Sequence, residues 1–165
     1  MKKAIFFDRD DTLIVNKPYL HKPEDIVYFS DTFSALKKIQ DLGYLLFIVT
    51  NQSGVGRKMF TIDDVHKVHQ KLLSDFLAHN VEISDIKICP HAPTDGCDCR
   101  KPSPKMILEL IDQYSVDRDK SLMVGDKVID YEAGVAAGLQ SFIVNNPKSD
   151  LPKLKSLTEL ATRLS

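Results

Sequence analysis

Two sets of residues in this chain have types and spacings that chemistry uses. The first begins with Asp8-Arg9-Asp10-Asp11-Thr12, directly after the apolar run Ala4-Ile5-Phe6-Phe7. Residues i and i+2 at a strand end point the same way, so Asp8 and Asp10 can serve one site. Two converging carboxylates are costly unless they split a proton or a cation neutralises them. Mg²⁺ suits them, being a hard ion that takes one or two carboxylates together with waters and phosphate oxygens. The plainer alternative is a pair of acidic residues that only closes a loop. Asp126, after Leu122-Met123-Val124-Gly125, would add a carboxylate from a different strand. Asp130 follows one helical turn later, where it could orient a metal-bound water. Thr50 and Lys101 are candidates to hold a transferring phosphoryl group and balance its charge. Arg100 offers a planar fork for a second phosphate or carboxylate, unless Arg100-Lys101-Pro102 is simply a solvated basic turn.

The second set is Cys89-Pro90-His91 and Cys97-Asp98-Cys99, with five residues between His91 and Cys97. Four N and S ligands at this spacing match a closed tetrahedral Zn²⁺ site with no open position, so the zinc would be structural. It would stiffen one loop, residues 89–102, and thereby fix Arg100 and Lys101. Three clustered cysteines do not form a disulfide framework and fit a reducing, cytoplasmic setting. His66 and His69 share a helix face without a third ligand and read as solvated surface. His21 could line a site or cap a turn. Gly54-Val55-Gly56-Arg57 lacks both the dinucleotide fingerprint and the Lys-Ser/Thr ending of a nucleotide loop.

The elements that must carry these residues alternate. Apolar runs at Lys3–Phe7, Tyr44–Val49, Ile86–Ile88, Ser121–Val124 and Ser141–Val144 read as strands. Between them lie helices begun by Asp31 and Thr61, by Pro104 as first residue, and one ending at Gly138; a last helix covers Leu157–Leu164. Fully apolar strands alternating with helices imply an α/β fold, a doubly wound parallel sheet covered on both faces. Ligands then bind beyond the carboxyl ends of the strands, where Asp8/Asp10, Thr50/Asn51 and Asp126 all fall.

The chain has 165 residues, 43% hydrophobic and 27% charged, with 22 Lys and Arg against 23 Asp and Glu. One domain over 1–165, without a large cap domain, is the expectation. A balance of −1 supplies no global field for nucleic acid or anionic lipid. The early apolar run is too short for a signal peptide or membrane span, and a monomeric protein is expected.

Asp-x-Asp-x-Thr after the first strand, Thr50, Lys101 and Gly125-Asp126-x3-Asp130 resemble, in order, the four motifs of the haloacid dehalogenase superfamily of phosphatases. Cys89-Pro-His through Cys97-Asp-Cys-Arg-Lys-Pro102 is similar to its zinc-bearing branch, which holds heptose-bisphosphate phosphatases and histidinol-phosphate phosphatases. The resemblance implies Asp8 as nucleophile, Asp10 as general acid/base, and Thr50 and Lys101 as phosphoryl ligands. It further implies Mg²⁺ on Asp8, the Asp10 carbonyl and Asp126, and zinc on Cys89, His91, Cys97 and Cys99. Asn16, Lys17, Pro18, Tyr19, Asn51, Gln52, Ser53, Arg100 and Lys127 would touch a small phosphorylated substrate. Tyr19-Leu20-His21, Gln52-Ser53-Gly54 and Arg57 to Thr61 resemble the heptose enzymes; the short zinc loop resembles the histidinol-phosphate ones. The heptose 7-phosphate is the substrate implied first, histidinol phosphate the alternative. Asp11 departs from the usual glycine of both groups. A phosphorelay receiver domain is disfavoured because its acceptor Asp would end the third strand, where Cys89 stands. A zinc-dependent binding module is disfavoured because Asp95 and Asp98 sit in the cysteine loop, where a basic patch or exposed aromatics would be needed.

Overall fold

The structure, a computed structural model, describes residues 1–165. Six strands form one parallel sheet: β1 (Ala4–Phe7), β2 (Leu45–Asn51), β3 (Asp85–Cys89), β4 (Leu122–Gly125), β5 (Gln140–Val144) and β6 (Lys153–Leu154), in spatial order β3-β2-β1-β4-β5-β6. The chain winds outward from β1 through β2 to β3, then returns to the other side of β1 with β4. The switch point thus lies between β1 and β4, the place where an open parallel sheet leaves a crevice at its carboxyl edge.

Each central strand is apolar on both faces, and successive residues feed opposite cores. Ile5 and Phe7 of β1, with Leu46 and Ile48 of β2, join one cluster; Ala4, Phe6, Phe47 and Val49 join the other. The first core is closed by α1 (Thr32–Asp41), α3 (Ile62–Ala78) and α6 (Leu157–Leu164), the second by α4 (Lys105–Tyr114) and α5 (Val128–Ala136). Helices on both faces explain why these strands lack alternation. A four-residue helix, α2 (Ser53–Gly56), follows β2 directly.

Local chemistry sets most boundaries. Thr61 caps α3 through a reciprocal pair: its Oγ1 accepts from Asp64 N, and the Asp64 carboxylate accepts from Thr61 N. Asp31 precedes α1 but its side chain does not cap it. The carboxylate instead accepts from N and Oγ1 of Thr158, at 3.0 and 2.7 Å, and ties α6 to the start of α1. Pro104 sits one place before α4 rather than inside it. The short β6 and α2 escaped sequence reading, being too brief to show a period.

Candidate active site

Beyond β1 the chain keeps its place in the sheet for one more residue, since Asp8 N donates to Val124 O at 3.0 Å. It then turns sharply: Arg9 O accepts from the backbone N–H groups of Thr12, Leu13 and Ile14. This turn separates the two carboxylates that strand spacing would pair. Asp8 joins Asp126 and Asp130, all buried, with oxygens within 4.8 Å of one another. Asp10 turns away, gripped by Arg9 through Nε (3.1 Å) and Nη2 (3.0 Å) and by Gln52 Nε2 (3.2 Å). Asp11 occupies the left-handed region, φ 58°, which Asp tolerates better than most residues and glycine takes freely.

Lys101 enters the carboxylate cluster from the cysteine loop. Its Nζ lies 2.9 Å from Asp8, 2.7 Å from Asp130 and 2.8 Å from Val49 O. Burial, then the charge of Asp130, holds the Asp8 carboxyl well above the usual range; Lys101 opposes this, while Asp126 and Asp10 add to it. Burial likewise raises Asp126. Lys101 is raised against its own burial by Asp130 and Asp8. One ammonium among three buried carboxylates leaves charge for a further cation, and an all-oxygen donor set suits a hard one. Asp130 is Lys101's counter-ion more than a free water ligand, because its second oxygen accepts from Lys127 N at 3.0 Å. Gly125 permits this: a Cβ there would lie 2.4 Å from that of Asp130. Thr12 Oγ1 reaches Asp126 at 3.5 Å.

A cavity of about 390 Å³ opens beside this cluster. All nine residues expected to touch substrate line it: Asn16, Lys17, Pro18, Tyr19, Asn51, Gln52, Ser53, Arg100 and Lys127. Arg9, Asp10, Leu20, Gly54, Arg57 and Phe60 complete the wall. Lys17 pairs with Asp25 and Arg9 with Asp10, but Arg57, Arg100 and Lys127 have no salt-bridge partner. Arg100 Nη1 is buried without any hydrogen-bond partner. His21 stacks on Phe60, ring centroids 5.1 Å apart, and its Nδ1 meets Tyr19 O at 2.9 Å. Thr50 Oγ1 accepts from Gln52 Nε2 at 2.8 Å, which leaves its own hydrogen free. Asn51 clasps Lys101 with both side-chain atoms, accepting from its N and donating to its O.

The cysteine loop gathers Cys89, His91, Cys97 and Cys99 into one cluster. Cys89 Sγ lies 3.7 Å from Cys97 Sγ and 2.8 Å from Cys99 Sγ; His91 Nδ1 lies 3.6 and 3.4 Å from Cys89 and Cys99. Converging thiols and one imidazole form the donor set of a closed zinc site. α2 braces the loop, since Gly56 N donates to Pro90 O at 2.8 Å. A Cβ on Gly56 would stand 2.3 Å from Ala92 N.

The profile described as "Polynucleotide kinase 3 phosphatase" matches residues 3–142. The chain belongs to the haloacid dehalogenase superfamily of phosphatases. Among its relatives in the superfamily, the D-glycero-beta-D-manno-heptose-1,7-bisphosphate 7-phosphatase of Pasteurella multocida is 38% identical over 151 residues, covering 87% of this chain and 82% of that protein. The D-glycero-alpha-D-manno-heptose-1,7-bisphosphate 7-phosphatase of Campylobacter jejuni is 35% identical over 162 residues, 96% and 93% of the two chains. The crystal structure of D,D-heptose 1,7-bisphosphate phosphatase from B. bronchiseptica, complexed with magnesium and phosphate, superposes with a TM-score of 0.89 at 26% identity, covering 98% and 97%.

In this haloacid dehalogenase phosphatase, sequence reasoning gave Arg9 no role, read His69 as solvated surface, and took Arg57 and Phe60 only as part of a resembling run rather than as site residues. His69 is buried rather than solvated, and its Nε2 meets Arg9 Nη1 at 3.3 Å, while His66 stays exposed. The one signal available was a basic residue between two catalytic-type acids, directly after a buried strand.

Proposed function

We propose that this chain is a Mg²⁺-dependent phosphomonoesterase that removes the 7-phosphate of D-glycero-D-manno-heptose 1,7-bisphosphate, within the cytoplasm, with a structural zinc in its cysteine loop. Arg100 carries the reading. Its side chain lines a cavity that also presents unpaired Arg57 and Lys127, and its Nη1 is buried with no hydrogen-bond partner to hold the fork in place, so the guanidinium is free to turn to an acceptor in the cavity. A second phosphate would satisfy it. Histidinol phosphate brings an ammonium to the same cations and no second anion. The names borne by relatives of both anomeric classes support the heptose reading.

The chemistry follows from the residues. Asp8 attacks phosphorus and displaces the sugar oxygen, giving an aspartyl phosphate. Asp10, protonated, gives its proton to that leaving oxygen. As a carboxylate it then takes a proton from water, whose oxygen attacks phosphorus and frees phosphate and Asp8. Lys101 and the free hydroxyl hydrogen of Thr50 hold the phosphoryl oxygens through both steps. Mg²⁺, held by Asp8, the Asp10 carbonyl and Asp126, would supply the charge that keeps Asp8 ionised and offsets that of the phosphoryl group.

The test is phosphate release from both anomers of the heptose bisphosphate, from histidinol phosphate and from p-nitrophenyl phosphate. A strong preference for one heptose anomer is expected; preference for histidinol phosphate overturns the reading. Arg100→Ala should lower kcat/KM for the bisphosphate about 10–100-fold, the worth of a charge-assisted contact, and leave p-nitrophenyl phosphate within about twofold. Equal losses on both would remove Arg100 from substrate binding.

A further inference from the structure

Arg9 lies between the nucleophile and the acid/base in sequence, yet the mechanism above gives it no step. It is 1% exposed, and each of its three side-chain nitrogens has a partner. Nε and Nη2 grip the two oxygens of Asp10, at 3.1 and 3.0 Å. Nη2 also reaches Gln52 Oε1 at 3.2 Å and Leu20 O at 3.4 Å. Gln52 closes the ring by donating Nε2 to Asp10 at 3.2 Å. Nη1 points the other way, to His69 Nε2 at 3.3 Å, sixty residues along the chain on α3.

Because guanidinium nitrogens only donate, His69 Nε2 must accept, so the ring is neutral with its proton on Nδ1. Burial, with the charges of Arg9 and His66 behind it, pushes the imidazole down to about 3, which keeps that lone pair available. The neighbours of His69 on α3 in the core, Val68 and Leu72, are apolar. A histidine at this buried place serves its one polar contact rather than the core.

We propose that His69 is a positioning residue for phosphoryl transfer: by accepting from Arg9 it fixes the guanidinium that aims the carboxyl group of Asp10. General acid/base catalysis needs that group within hydrogen-bond reach of the leaving oxygen. Without His69, a buried N–H has no acceptor, and the guanidinium shifts to find one. Asp10 moves with it. The inference rests on the assignment of Asp10 as the acid/base, and the test separates the two.

An alkyl leaving group needs the proton of Asp10, whereas p-nitrophenolate leaves without one. Hydrolysis of the aspartyl phosphate also uses Asp10 and is common to both substrates, so the two are compared in kcat/KM, which ends at loss of the leaving group. Asp10→Asn should cut it for the alkyl ester hydrolysed fastest by about a hundredfold or more, and for p-nitrophenyl phosphate far less. His69→Leu should reproduce this split in kcat/KM at about a tenfold scale, and His69→Gln, whose side-chain oxygen can accept from Arg9, should restore it. If His69→Leu yields no folded protein, His69→Met serves, since methionine adapts to irregular space. Equal losses on both substrates, or no rescue by Gln, overturn the positioning role while Asp10 keeps its own. Absence of a split in Asp10→Asn overturns the acid/base assignment and the inference with it.

Discussion

Lys101 is the ammonium that the Asp8 and Asp130 carboxylates share, and it is itself 2% exposed. Removing one partner of a buried ion pair strands the other charge. Lys101→Met should therefore abolish activity and lower the stability of the metal-free protein by about 3–5 kcal/mol, read from urea unfolding. Added Mg²⁺ should recover part of that loss by taking the place of the missing cation. His69 makes a second prediction at this scale. Its unfolded imidazole binds a proton below about pH 6.5, but in the folded chain burial, Arg9 and His66 delay this to about 3. In that window the unfolded state binds more protons, so stability is full above about pH 6.5 and falls as pH falls, by up to about 1.4 kcal/mol per unit. His69→Gln should flatten the dependence. Asp8 and Asp126, raised by burial, act in the opposite sense but are common to both proteins and cancel in the difference.

Among the elements, the cysteine loop and α2 form one functional unit. The loop runs from Cys99 straight into Arg100 and Lys101, so whatever holds the sulfur cluster also places these two cations, the residues proposed to hold substrate and the phosphoryl group. Chelation of zinc should lower thermal stability and cut kcat/KM, with the heavier loss on the bisphosphate because Arg100 moves too. Zinc should restore both, and activity indifferent to chelation would detach the loop from the chemistry. Gly56→Ala should imitate chelation in milder form, since its Cβ would push on the Ala92 backbone rather than on a flexible side-chain tip. The measurement is zinc content beside activity for that variant. Capping was less legible at this scale: Thr61 does what its sequence promises, while Asp31 serves a helix more than a hundred residues away.

Over the whole molecule the formal charge is −1, yet Arg57, Arg100 and Lys127 face one cavity without salt-bridge partners. A local positive field draws a bisphosphate more strongly than a monoester and is screened by salt. Raising NaCl from about 0.05 to about 0.5 M should raise KM for the heptose bisphosphate several-fold more than KM for p-nitrophenyl phosphate. Equal shifts would mean that the cations steer nothing beyond the reacting phosphate.

The amino-acid sequence by itself determined the parallel sheet and which strand exits carry polar residues. Both follow from local facts: apolar runs covered on both faces, and the polar breaks that end them. It also determined the cysteine cluster, whose ligands lie within eleven residues of one another. Tertiary structure alone decided that Asp130 is Lys101's counter-ion and that Asp10 turns from Asp8 toward Arg9. It likewise decided that His69 is buried behind that arginine and that Arg100 keeps an unpartnered nitrogen. The Asp10–Arg9 pair is local but is locked by Gln52, forty-two residues on, and the rest are contacts or missing contacts between elements far apart in the chain; residue spacing carries no record of which side chains then meet.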